Sequence, residues 1–229
     1  SSYFSYAYVI REQIDGIDFY RFLKELTDDF DNRSTQLIEK LKAVSSALFS
    51  SPAMLSFAGD DASIEAYLAS WSQGLISPDE ALAQKCNMDV PAPVDKREAF
   101  IAPCDVTFTA STFDRSKVAR ELTGPWLVAS RALTYDYLWN EVRVMGGAYG
   151  VGFTTTRQGQ SYFHSYRDPH IDKTIARFDD AAGWLKTFDP GQDEFDGFIV
   201  STASTFDAPL KPRALIRRQD GMFFADYPT

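Results

Sequence analysis

Apolar and polar positions along the chain change period several times, and each change predicts an element. Tyr3–Ile10 is an aromatic and β-branched run, which favours a strand. Past Gly16 the period lengthens. Phe19, Phe22, Leu23 and Leu26 mark one helix, and Leu37, Ile38, Leu41, Val44 and Leu48 mark the apolar face of a second that follows Asn32-Arg33-Ser34. Pro52 ends that helix, and Ala53–Ala58 reads as a short buried strand closed by Gly59. Asp60 or Asp61 is placed to cap a third helix, with Ile64, Tyr67, Leu68 and Trp71 on its apolar face. From Ser77 to Asp95 periodicity vanishes and Pro78, Pro91 and Pro93 appear, so residues 76–96 read as a linker between two structural units.

The second unit opens with Ala99–Ala102 and a run in which Val106, Phe108 and Ala110 alternate as the inward positions of a half-buried strand. Thr123-Gly124-Pro125 starts a long helical region that ends at Met145, with proline suited to the first turn. Leu138, Val142 and Met145 recur at i, i+4, i+7 and face a core, while Arg143 lies off that stripe in the last turn. Gly146-Gly147 lets the backbone take positive φ and leave the helix at once. Val151–Thr156 and Ser161–Arg167 then flank Arg157-Gln158-Gly159-Gln160, a hairpin loop. Asp168 as N-cap and Pro169 in the first turn open another helix with Ile171, Ile175, Phe178 and Trp184 as its core face. Asp193–Phe206 reads as a last helix before an irregular end. Strands, a hairpin and paired helices in this order define an α+β fold, with helices on one face of an antiparallel sheet.

Composition narrows the function. With 229 residues, 45% hydrophobic and 14% aromatic, the chain buries a sizeable core. A net charge of −9 without a basic stripe argues against nucleic acid as a partner. It is compatible with cationic peptides, although an acidic balance is also common among soluble proteins of every kind. Cys86 and Cys104 fit free thiols in a reducing compartment, so a cytoplasmic location is expected, with a single bridge across the intervening loop left open. No apolar run approaches the roughly 18 residues of a membrane span, and no signal peptide is recognisable, so no membrane partner is expected. The first strand-like run is already under way at Tyr3, as in a fragment of something longer.

The helix-to-hairpin reversal holds the candidate chemistry. Arg143 and Tyr149 stand six residues apart on either side of Gly146-Gly147, a cation and a phenol held at one turn. The competing assignment pairs Arg143 with Glu141 or Asp136 and puts Tyr149 in the core. Glu141 has no metal or nucleophile beside it in the pattern, so a helix-surface carboxylate is the expectation there. Only two histidines occur, His164 and His170, and a spacing of six across a strand and a proline cannot form a two-histidine zinc motif on one helix. No metal ligands are therefore assigned in this chain, and by itself it is expected not to cleave peptides. His164 and Ser165 point to opposite faces of a strand, which discounts a serine hydrolase dyad. The glycine-rich run 146–152 follows a helix and lacks the lysine of a phosphate-binding loop; it suits close approach of an extended backbone instead.

These residues also carry a resemblance. Leu138-Trp139-Asn140-Glu141-Val142-Arg143-Val144-Met145-Gly146-Gly147-Ala148-Tyr149-Gly150 and Ser165-Tyr166-Arg167-Asp168-Pro169 resemble the C-terminal half of the pitrilysin/insulinase zinc metallopeptidases, in the presequence-protease and falcilysin branch. Gly16-Ile17-Asp18-Phe19-Tyr20-Arg21-Phe22-Leu23 and Asp207-Ala208-Pro209-Leu210 agree with that branch in the same order. The resemblance implies repeated α+β units of ferredoxin-like derivation. On it, residues 1–75 are the tail of a third unit, 76–96 a linker and 97–229 most of a fourth. It also implies zinc and water activation in an N-terminal half absent from this chain, with unfolded peptide as substrate. Arg143 and Tyr149 are then catalytic residues reaching that site from the C-terminal half, and Gly147 joins them in substrate binding. A non-catalytic peptide-binding or structural module of the same fold is the alternative.

Overall fold

The computed structural model describes residues 5–50, 56–70, 89–94, 97–119 and 121–224. Trp71, Cys86, Pro52 and most of the 76–96 linker lie outside them, as do the first residues of the Tyr3–Ile10 run. The chain forms two compact units, Ser1–Ile17 with Val90–Asp207 and Asp18–Asp89 with Ala208–Thr229.

The first unit is built on a hairpin. β2 (Gly150–Thr155) and β3 (Gln160–Asp168) pair antiparallel around a turn in which Gly159 takes φ 91°. Thr156 N–H donates to the Gln160 carbonyl at 2.8 Å and closes it. β1 (Thr107–Asp114) pairs antiparallel with the other side of β3, giving the order β1-β3-β2. The fold is thus α+β, as the pattern predicts. The face of β1 is the reverse of the expectation: Phe108 and Ala110 are exposed, and Thr109 and Ser111 face the helices. Alternation defines two faces without saying which is inward. Register decides it, because Thr109 lies opposite Ser165 and Ser111 opposite Phe163, whose ring packs on the core.

α5 (Gly124–Ala132) begins with Pro125 in its first turn. From Leu133 to Val144 the helix continues in π-helical form, and the Met145 N–H reaches back five residues to the Asn140 carbonyl at 2.9 Å. The wider turn buries Leu133, Tyr137, Leu138 and Val142, spaced four to five apart where they repeat, and swings Met145 out to 67% exposure. Met145 is therefore a surface residue, against the stripe read at helical period.

α6 (Ile171–Thr187) buries Thr174, Phe178 and Ala181, leaving Ile171 and Ile175 exposed. Asp168 explains the rotation. It is the last residue of β3, fully buried, and accepts the His170 N–H at 2.8 Å and the Thr174 hydroxyl at 2.6 Å. The position before the first helical residue is His170, two residues beyond the cap that the sequence suggests. Phe178 stacks on Phe163 at 5.2 Å between centroids, and Tyr137 on Trp184 at 5.2 Å, closing the core between sheet and helices. α7 (Gln192–Asp207) follows as expected.

Arg115, in a short 3₁₀ turn after β1, is fully buried and donates to the carbonyls of Ala119, Glu121 and Thr156. It ties the segment after β1 to the hairpin end. α1 (Tyr6–Asp15) replaces the predicted first strand. β-propensity is a weak prior, and the continuation Arg11–Asp15 supplies an i,i+4 ion pair at 3.2 Å that suits a helix.

The second unit is helical: α2 (Ile17–Asp28) enters it, followed by α3 (Phe30–Ser50), α4 (Asp61–Ser70) and α8 (Pro212–Phe224). Asp60 caps α4 by accepting the Ser63 N–H at 2.7 Å, as predicted. α8 occupies the end expected to be irregular, where the Ser56 hydroxyl meets the Asp220 carboxylate. Residues 56–58 are not a strand, and Phe57 is exposed. The stripe Ile38, Leu41, Val44 and Leu48 lies along α3 but is exposed. No helix among the described residues is long and apolar enough to cross a membrane.

Candidate functional site

The site is made by the way the π-helical stretch ends. An added Cβ on Gly146 would lie 2.4 Å from the Val142 carbonyl oxygen, so no other residue fits without reopening the helix. Gly147 takes φ 83°, its N–H donating to Arg143 at 3.0 Å while Ala148 donates to Val142 at 3.1 Å. The second bond reaches back six residues, one more than the longer bond of a Schellman ending, in keeping with the wider winding. Ala148 is buried beneath the turn, and the chain emerges at Tyr149 directly into β2.

Arg143 leaves the last turn with its guanidinium 3.8 Å from the centre of the Trp139 ring. That is close stacking for a cation on an indole. Glu141 is engaged elsewhere, with Arg177 at 3.0 Å, and no pair joins Arg143 to Asp136 among the described residues. The assignment of Arg143 to a neighbouring acid therefore fails. Tyr149 is 59% exposed, so its assignment to the core fails too.

Two neighbours hold Tyr149 at the surface through three contacts. Its N–H donates to the Arg167 carbonyl at 3.2 Å, Tyr166 meets its ring edge-on at 5.4 Å, and the Arg167 guanidinium carbon lies 5.8 Å from its ring centre. Tyr166 in turn lies over Gly150, where an added Cβ would come within 2.1 Å of its ring. Arg167 has φ 50°, the one non-glycine residue in the left-handed region among the described residues. Such a conformation costs on the order of 1–2 kcal/mol. It sits at a bulge, because Thr107 pairs with Asp168 and Phe108 with Tyr166, leaving Arg167 without a partner on β1. Sequence reasoning assigned Ser165–Pro169 to the exit of the hairpin and missed Arg167 and Tyr166 as neighbours of Tyr149. The available signal was a long cation placed just before Asp-Pro at a strand end.

His164 lies on the same sheet face as Tyr166, between Ala110 and Gly152 across the strands. Burial pulls its imidazole below the usual 6.5, and its Nδ1 has no hydrogen-bond partner. His170 stands apart at the entry to α6. Among the described residues no group of three or more His, Cys, Asp or Glu is arranged to hold a metal ion. Cys104 is a free, exposed thiol.

Sheet, helical layer and reversal together define an α+β module. Residues 97–219 match the family described as the PreP C-terminal domain, and the chain belongs to that family, within the presequence-protease branch of the pitrilysin/insulinase group. Protein HypA of Clostridium perfringens is 30% identical over 206 residues, covering 87% of this chain and 20% of that protein. Presequence protease 1, chloroplastic/mitochondrial, of Arabidopsis thaliana is 27% identical over 210 residues, or 89% of this chain and 19% of that protein. The mitochondrial presequence protease of Mus musculus is 30% identical over 120 residues, 52% of the chain and 12% of that protein. The chain thus spans about a fifth or less of the length of these curated relatives.

Proposed function

We propose that the complete protein is a zinc-dependent metalloendopeptidase that degrades unfolded peptides, and that this chain supplies the donors that grip the scissile carbonyl. Zinc has no fitting ligand set among the described residues here. On this reading it is held by the N-terminal half of the same protein, which is the principal partner of the chain. Residues 1–75 then end a third α+β unit, and 97–229 form most of a fourth.

One observation carries the reading. Arg143 and Tyr149 flank a reversal that tolerates only glycine at 146, and neither is consumed by a carboxylate or by the core. A guanidinium and a phenolic O–H are donors without a competing acceptor, and they strengthen as a carbonyl oxygen gains charge. Each such donor is worth about 2.7–4 kcal/mol at the transition state. Gly147, with no side chain above the turn, leaves room for an extended substrate backbone beside them.

The test is steady-state peptide hydrolysis by the complete protein carrying Arg143→Ala or Tyr149→Phe. Each change lowers kcat/KM about tenfold or more through loss of a charge-stabilising donor, with an unchanged melting curve. Unchanged kcat/KM in both variants refutes the assignment. Mixing this chain with the upstream half and zinc restores activity that neither piece has alone.

A further inference from the structure

We propose that Arg167 is a positioning residue for Tyr149, held in a left-handed backbone conformation in order to do so; the inference rests on the role given to Tyr149 above. Arg167 touches Tyr149 twice. Its carbonyl accepts the Tyr149 N–H at 3.2 Å, and its guanidinium reaches to 5.8 Å from the centre of the ring. The second distance is within the range of a cation–π contact. Tyr166 closes the opposite approach edge-on at 5.4 Å.

The backbone makes these contacts possible. With an ordinary extended conformation at 167 the ladder between β1 and β3 would run on, and the Arg167 carbonyl would not turn towards Tyr149. The bulge removes one residue from that ladder and re-aims it. The unfavourable φ persists because both flanks are pinned. Tyr166 pairs with Phe108 and with Gly150, while Asp168 is fixed by the His170 N–H and the hydroxyl of Thr174. Thr107 adds a hydroxyl bond to the Asp168 carbonyl at 2.9 Å. Strain maintained by this much surrounding structure, next to a candidate donor, points to a positional task for the residue. An arginine is also an uneconomical choice for a left-handed position unless its side chain is used, since glycine or asparagine occupies it more easily.

The experiment is a double-mutant cycle on peptide hydrolysis by the complete protein, with Arg167→Asn, Tyr149→Phe and the pair. Asparagine tolerates the left-handed backbone and removes the cation, so the melting temperature holds. Should that variant fold poorly, Arg167→Gly replaces it, because glycine takes positive φ freely. Arg167→Asn is expected to lower kcat/KM about two- to fivefold, the scale of an exposed cation–π contact. In the Tyr149→Phe background the same change has no further effect, because it acts through the Tyr149 hydroxyl. Arg167→Lys recovers most of the loss. Full multiplication of the two losses, a silent Arg167→Asn beside an impaired Tyr149→Phe, or no recovery with lysine overturns the positioning role alone. A silent Tyr149→Phe overturns the site itself and this inference with it.

Discussion

Arg115 offers the sharpest test of how the first unit is held together. Its guanidinium is fully buried with no carboxylate beside it among the described residues, and its partners are three main-chain carbonyls, those of Ala119, Glu121 and Thr156. Replacing a buried ion pair by apolar residues is often neutral or stabilising, because both charges leave together. That cancellation is unavailable here, since the carbonyls remain when the arginine goes. A low-end value of about 1.5 kcal/mol for each charge-assisted bond, discounted because Glu121 is exposed and rewets, puts Arg115→Met at about 3 kcal/mol. For a chain of this size that is a fall in melting temperature of about 6–12 °C. Arg115→Lys falls between, having donors enough but no planar fork to reach carbonyls on two segments. Thermal melts followed by far-UV circular dichroism read all three proteins. A Met variant that melts with the parent, or above it, refutes the idea that these carbonyls depend on the cation.

Other expectations follow from the glycines and from His164. Gly146→Ala should destabilise the chain, because its Cβ would lie 2.4 Å from the Val142 oxygen, whereas Gly183→Ala meets nothing within 4 Å on an exposed turn of α6. The second change should stabilise by about 0.5–1 kcal/mol; equal urea midpoints for the two variants would contradict both. Burial lowers the pKa of His164 in the folded state, so the unfolded chain binds more protons as pH falls. Stability is then complete above about pH 6.5 and declines as pH drops through the lowered value. His164→Gln should flatten that decline below about pH 6.5, and superimposable pH profiles of the urea midpoint would dismiss it.

How much of this was legible depended on whether a signal was local. Gly159 in the hairpin, Pro125 at a helix start, Asp60 at a cap and Gly146-Gly147 at a helix end are all local chemistry, and the structure places each where the sequence does. The errors came from longer-range choices. Tyr6–Ile10 has strand propensity but continues into a helix-forming sequence, and weak local preference yields to its continuation. The inward face of β1 follows from its register on β3, which no alternation reveals. Met145 falls off the core stripe because the winding changes from α to π, and nothing in the apolar spacing announces that change. At the site, Arg143 and Tyr149 were accessible to motif reasoning. Arg167 was not, because a bulge belongs to the pairing of two strands 61 residues apart, the span between Thr107 and Asp168.

Thr134 acts on β2 from the helix beside it. Its hydroxyl accepts the Phe153 N–H at 3.0 Å and donates to the Phe153 carbonyl at 3.3 Å, occupying the outward pair of main-chain groups in the middle of that strand. One side chain from the helix thereby imitates the partner strand that β2 lacks. On this flank an incoming strand finds the central docking groups of β2 already taken. β1 pairs with β3 alone among the described residues, so its outer edge is the border without such a block. One threonine thus makes the two borders of the sheet unequal.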